Sequence, residues 1–244
     1  MSMDRMKRFL SRHPGLPFHT SNINASSSNT QEVTPNLLDN LPPPRPPFSS
    51  NPPRILIIGG GSRGASSAQS IIMATNGVVG AIAEPIEFKR KQFGMNYIWG
   101  VGEPQEGMEF EGWVEFKEWE LKRREKKLNG EQVPDGVDGV FVCTLDHTHV
   151  AIITGLSPLN LHILSEKPLA TTLEDCLRIY KSLTPKDPTN SPTALFAVAH
   201  VLRYSPRHVL LRKLLHEDEA IGDVISIEHT EPIGWWHFSH SYVR

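Results

Sequence analysis

"RILIIGGGSRGASSA", residues 54–68, decides how this chain folds. Ile55 to Ile58 form an unbroken apolar run, the mark of a strand buried on both faces; a strand with one wet face would alternate. Three glycines follow. Ala65, Ser66, Ser67 and Ala68 then begin a slim helix, predicted over 65–75. Gly59, Gly61 and Gly64 have the spacing G-x-G-x-x-G. In that setting the glycines allow a tight turn, close approach of a pyrophosphate to the backbone, and close helix–strand packing. The helix N-terminus adds free N–H groups and positive potential for phosphate, with Ser62 and Arg63 inside the same loop. The alternative is a glycine-rich turn that binds nothing.

Working outward, "VVGAIA" (78–83), "GVFVCT" (139–144), "LHIL" (161–164) and "ALFAVA" (194–199) repeat the buried-strand texture. Helical stretches lie between them. Leu173, Cys176, Leu177, Tyr180 and Leu183 predict a helix over 172–183, capped by Thr172 with Asp175 three residues on. Ser205-Pro206 opens another, with Val209, Leu210, Leu214 and Leu215 on its apolar stripe. Strands alternating with helices imply an α/β fold, a doubly wound parallel Rossmann sheet. Between residues 100 and 137, Trp113, Phe116 and Trp119 suggest a short strand and a helix start. The run "KRREKK" (122–127) reads as a solvated helix end and surface loop; a nucleic-acid patch would interleave aromatics with the basic residues.

The bulk properties narrow the partners. Formal net charge is −2, so no general field draws the chain to nucleic acid or anionic lipid. No apolar run reaches the ~20 residues of a membrane span. Cys143 and Cys176 sit among apolar neighbours and read as reduced core residues, which points to a cytoplasmic protein. Residues 1–53 differ from the rest. They hold ten of the 20 prolines and the tract "SNINASSSNT", a composition that builds no core and predicts a disordered arm. Its PxxP spacing reads as linker, with an SH3-type ligand as alternative. Arg5, Lys7, Arg8 and Arg12 against Asp4 leave organellar targeting by residues 1–30 as a minor alternative to the cytoplasm.

Chemistry-bearing residues cluster just after the strands. Glu84 ends the second strand, 20 residues beyond Gly64. A carboxylate there accepts hydrogen bonds from the adenosine ribose hydroxyls and repels a 2′-phosphate, favouring NAD over NADP. Lys89, Arg90 and Arg63 are the basic groups that would instead accept NADP, and a simple helix-start acid is the other reading of Glu84. "CTLDHTHV" carries Thr144, Asp146, His147 and His149 after the fourth strand, and "SEKPLA" follows the fifth on the same side. His147-x-His149 and His237-x-x-His240 lack a third ligand at metal spacing, so no metal is expected. His200, Arg203 and Tyr204 follow the last strand, where a substrate would stand.

Over residues 54–244 the chain resembles the Gfo/Idh/MocA family of oxidoreductases. The shared pattern is the glycine loop, Glu84, Thr144-Leu145-Asp146-His147-Thr148-His149 for T-P-[DN]-x-x-H, and Glu166-Lys167-Pro168 for E-K-P. Leu145 replaces the usual proline. The resemblance implies NAD(P) as cofactor, bound by Gly59, Gly61, Ser62, Arg63, Gly64, Glu84, Thr144, Asp146, His149, Glu166 and Lys167. It makes Lys167 the catalytic residue, beside the nicotinamide and the substrate hydroxyl, with Glu166 positioning it or facing the nicotinamide. "AHVLRYSP" and "EPIGWWHFSHSYVR" resemble the branch acting on sugars and cyclitols, with His200, Arg203, Tyr204 and His237 towards the substrate.

It further implies a Rossmann domain over 54–200. Residues 201–244 would then be a linking helix and the first strand, "DVISIEHTE" (223–231), of an incomplete second α+β domain for substrate and oligomer contacts. Family members are longer, oligomeric as a rule, and carry acid/base partners further on, so the chain is expected to be a fragment. A non-catalytic dinucleotide-binding module is the competing function, with a methyltransferase-type fold behind it.

Overall fold

The computed structural model describes residues 50–184, 194–235 and 238–239. The expected arm over 1–53 therefore lies almost wholly outside the described residues, as do His237 and His240. The apolar runs become β1 (Arg54–Ile58), β2 (Val78–Ala83), β4 (Gly139–Val142), β5 (His162–Ser165) and β6 (Phe196–Val198); a two-residue β3 (Glu109–Phe110) completes the sheet. All pairings are parallel and the order is β3-β2-β1-β4-β5-β6. The chain runs outward from β1 in one direction, then returns and runs outward in the other. This is the doubly wound Rossmann arrangement, and its reversal lies between β1 and β4.

The helices are α1 (Ser62–Ala74), α2 (Glu87–Tyr97), α3 (Trp113–Leu128), α4 (His149–Leu156), α5 (Leu173–Leu183) and α6 (Pro206–His216). They bury the two faces of the sheet separately, as strand alternation requires. Leu56, Ile58, Val140, Val142 and Ile163 pack with Phe116, Ile152, Ile153, Leu156 and Ile179 from α3, α4 and α5. Ile57 and Ile82 pack with Ala68, Ile71 and Phe93 from α1 and α2. Ile55 pairs with Val79 but Leu56 with Ala81, which leaves Gly80 as an extra residue in β2. That bulge lets Val79 and Ile82, three apart, share one face.

Several boundaries differ from the sequence reading. α1 starts at Ser62, because Ala65 N–H already bonds Gly61 C=O at 2.9 Å. Trp113, Phe116 and Trp119 all sit on α3, with the short strand just before them. The basic run stays helical to Leu128, where Lys126 and Lys127 suit the negative end of the helix. Thr172 caps α5 as expected, its Oγ1 accepting the Asp175 N–H at 3.1 Å. Residues 223–231 form no strand, a correction: an extended run needs a ladder neighbour, and the described residues offer it none.

Candidate active site

Because every strand is parallel, the residues singled out after each strand emerge at one edge of the sheet. Gly59 follows β1, Glu84 follows β2, Thr144 follows β4, Glu166 and Lys167 follow β5, and His200 follows β6.

The three glycines of the fingerprint divide the work. Gly59 has φ +99° and lies so close to β4 that a Cβ would stand 2.6 Å from Cys143 O. A Cβ on Gly64 would stand 2.0 Å from Gly59 O. These two are required for the turn and for helix–strand contact. Gly61 has φ −78°, a value any residue adopts, and a Cβ there would meet nothing within 4 Å. Space is thus kept clear over Gly61, at the N-terminus of α1, where a pyrophosphate would lie.

Glu84 is buried, and its carboxylate is divided between two backbone donors. Oε2 accepts Gly60 N–H at 2.8 Å and Oε1 accepts Ile86 N–H at 3.0 Å. It therefore ties the glycine loop to the end of β2, a part the spacing alone did not indicate. Arg90 does not swing free. It is buried, donates to Glu84 O at 2.7 Å and pairs with Glu109 at 3.4 Å. Lys91 also pairs with Glu109, at 2.8 Å. Among the basic groups weighed for a 2′-phosphate, Lys89 stays exposed.

Arg63 is not at the adenine end either. Its Nε lies 3.3 Å from Glu166 Oε1. The other oxygen of Glu166 accepts the Lys167 N–H at 3.3 Å. Lys167 itself is exposed and pairs with no carboxylate among the described residues. The strand-end ion pair that competed with a functional lysine thus belongs to Glu166. The Lys167–Pro168 peptide is cis.

His149 requires a correction. It was assigned to the cofactor, yet it is only 1% exposed. Nδ1 lies 2.9 Å from Pro168 O and Nε2 lies 3.3 Å from Thr144 O. The imidazole joins the loop after β4 to the loop after β5, under the crevice rather than in it. Thr144 shares a 2.7 Å hydroxyl contact with Thr148. Asp146 and His147 are exposed, and Asp146 Oδ1 accepts the His147 N–H at 3.0 Å. Leu145 sits at φ −70°, ψ 140°, the conformation that the usual proline would impose. Burial pushes the Cys143 thiol up to about 11, so it is no nucleophile at neutral pH.

Ala199 N–H bonds Ser165 O at 2.8 Å, which sets His200 beside the Glu166–Lys167 corner. His200, Arg203 and Tyr204 are exposed there, around a short 3₁₀ turn. No group of three or more metal-ligating side chains occurs among the described residues, and none of their helices is long and apolar enough to cross a membrane.

Known proteins are similar to this chain in sequence and in fold. Inositol 2-dehydrogenase 1 of Saccharopolyspora erythraea is 35% identical over 92 residues, covering 38% of this chain and 26% of that protein. The inositol 2-dehydrogenase/D-chiro-inositol 3-dehydrogenase of Halalkalibacterium halodurans is 31% identical over 100 residues, covering 40% of this chain and 27% of that protein. The fold matches the crystal structure of myo-inositol dehydrogenase from Lactobacillus casei in complex with NAD(H) and myo-inositol. The TM-score there is 0.53 at 22% identity, over 70% of this chain and 42% of that one. The chain thus spans well under half the length of these relatives. Residues 53–190, more than half of the chain, match the family model described as an oxidoreductase family with an NAD-binding Rossmann fold. The chain belongs to the Gfo/Idh/MocA oxidoreductase family, and the matched part is its NAD-binding domain.

Proposed function

We propose that the chain binds NAD across its sheet edge and serves hydride transfer between the nicotinamide and an alcohol or carbonyl carbon of a sugar or cyclitol. The observation that carries this reading is the convergence of three features on one edge. These are a clear space over Gly61, the Glu84 carboxylate just after β2, and an exposed Lys167, without a carboxylate partner among the described residues, two strands from the glycine loop. Two relatives named as inositol dehydrogenases, and a solved neighbour holding NAD(H) and myo-inositol, support a polyol substrate.

The residues fit the cofactor as follows. Gly59, Gly61, Ser62, Arg63 and Gly64 would hold the pyrophosphate, Glu84 the adenosine ribose, and Thr144, Asp146 and Glu166 the remaining length of the crevice. Bound NAD supplies the hydride acceptor. Lys167 would stand at the substrate oxygen as a cation that stabilises developing negative charge and, in passing one of its own protons to water, takes up the hydroxyl proton. His149 fixes the backbone on both sides of that position. His200, Arg203 and Tyr204 would meet the substrate from β6. NAD is favoured over NADP because Glu84 opposes a 2′-phosphate, while Arg90 is tied to Glu84 O and Glu109.

The test is NAD⁺ reduction by the complete protein, followed by absorbance against a panel of cyclitols and aldoses. Lys167→Ala should lower kcat/KM by roughly a hundredfold while NAD affinity stays within a few-fold, because the side chain acts on charge that grows in the transition state. Lys167→Arg should not restore the rate, since a guanidinium keeps the charge but does not give up a proton near neutral pH. An unchanged rate in Lys167→Ala would remove the lysine from the chemistry.

A further inference from the structure

The pair Arg63–Glu166 crosses the crevice. Arg63 belongs to the first turn of α1, after β1, and Glu166 follows β5; β4 lies between those strands. Their 3.3 Å contact therefore spans the mouth of β4. A dinucleotide lying along this edge has to share that line. Resting on the NAD reading above, we propose that Glu166 competes with the cofactor's pyrophosphate for Arg63, so that this ion pair sets dinucleotide affinity.

The electrostatics are specific. Glu166 is largely enclosed, its side chain 13% exposed, whereas Arg63 is 51% exposed. A carboxylate so placed repels a pyrophosphate unless its charge is compensated. Arg63 is the one cation within salt-bridge distance of it among the described residues. A guanidinium has five N–H donors in a planar fork and matches phosphate oxygens with two parallel bonds. Arg63 sits at the N-terminus of α1, beside the clear space over Gly61. Turning from Glu166 to that space exchanges a carboxylate for a pyrophosphate that carries two negative charges. Glu166 then keeps the Lys167 N–H as a donor.

The experiment is calorimetric titration of the chain with NAD⁺ and with ADP-ribose, which keeps the pyrophosphate and lacks the nicotinamide. Arg63→Gln should weaken both ligands by about tenfold, the scale of a lost charge-assisted hydrogen bond. Glu166→Gln should tighten both by about threefold, because the arginine no longer has a rival. In the Arg63→Gln background the gain from Glu166→Gln should fall below that in the native chain, leaving only the relief of repulsion, which is the signature of coupling through one group. Thermal melting of each variant shows that it is folded.

Unchanged or weakened binding in Glu166→Gln would overturn the proposal, as would a gain confined to NAD⁺, which would place Glu166 on the nicotinamide instead. So would additive effects in the double variant. Should the folded wild type bind neither ligand, the NAD reading fails and the competition falls with it. If the wild type binds and only the Glu166 effect is missing, the NAD reading stands and this inference alone is wrong.

Discussion

Glu84 shows how one side chain serves structure and specificity together. Its two oxygens satisfy Gly60 and Ile86 N–H, so the same carboxylate that shapes the empty loop stands where the ribose would arrive. Glu84→Gln keeps one acceptor, sets an NH2 against the other backbone N–H, and removes the charge. The proposed preference for NAD over NADP, expected at about tenfold or ~1.4 kcal/mol in the native chain, should shrink towards parity in parallel titrations with both cofactors. A wild type that prefers NADP would instead hand control to Lys89. The fingerprint glycines and this acid were legible in the sequence, because strand, turn and carboxylate spacing follow from geometry. The double acceptance was not, since spacing says nothing about which backbone donors turn inward. His149 was misread for a related reason: its motif places it on the right loop, and only packing shows that the ring points into the core.

At the scale of elements, the buried parallel strands were the most legible, each an apolar run, and the capped α5 followed its periodicity. The two-residue β3 carries too little pattern to read. α3 hid the most. Its charges look like a solvated face, yet Glu120 is 0% exposed and is clamped by Arg123 at 2.8 Å and Arg124 at 2.7 Å. Burial alone would raise the Glu120 pKa. The hydrogen bonds and charges of the two guanidiniums outweigh it and hold the carboxyl below its ordinary value. A folded pKa depressed below the unfolded one gives stability that is fully present above about pH 4.3, the unfolded glutamate value. That stability disappears as pH falls through the lower folded value. Glu120→Gln should therefore cost stability at pH 7, by about 3 kcal/mol on the scale of a broken buried pair. The gap to wild type should narrow in melts taken towards pH 3. A constant gap across that range would show that packing, not charge, is what the substitution removes.

For the molecule as a whole, six parallel strands with helices on both faces bring the residues proposed for the cofactor to the carboxyl ends of the strands. Residues 53–190, which hold the sheet from β1 to β5, match the family model with an NAD-binding Rossmann fold. Binding of the dinucleotide should accordingly reside in this chain. Gly61 allows the cleanest test of that claim, because its backbone is open to any residue and a Cβ there meets nothing within 4 Å. The measurement is calorimetric titration of NAD⁺ into the folded chain and into Gly61→Val, with melting curves for both. The account predicts saturable one-site binding by the wild type, lost in Gly61→Val, with the two melting temperatures alike. A folded wild type that takes up no NAD⁺, or a Gly61→Val variant that binds it equally well, would contradict it.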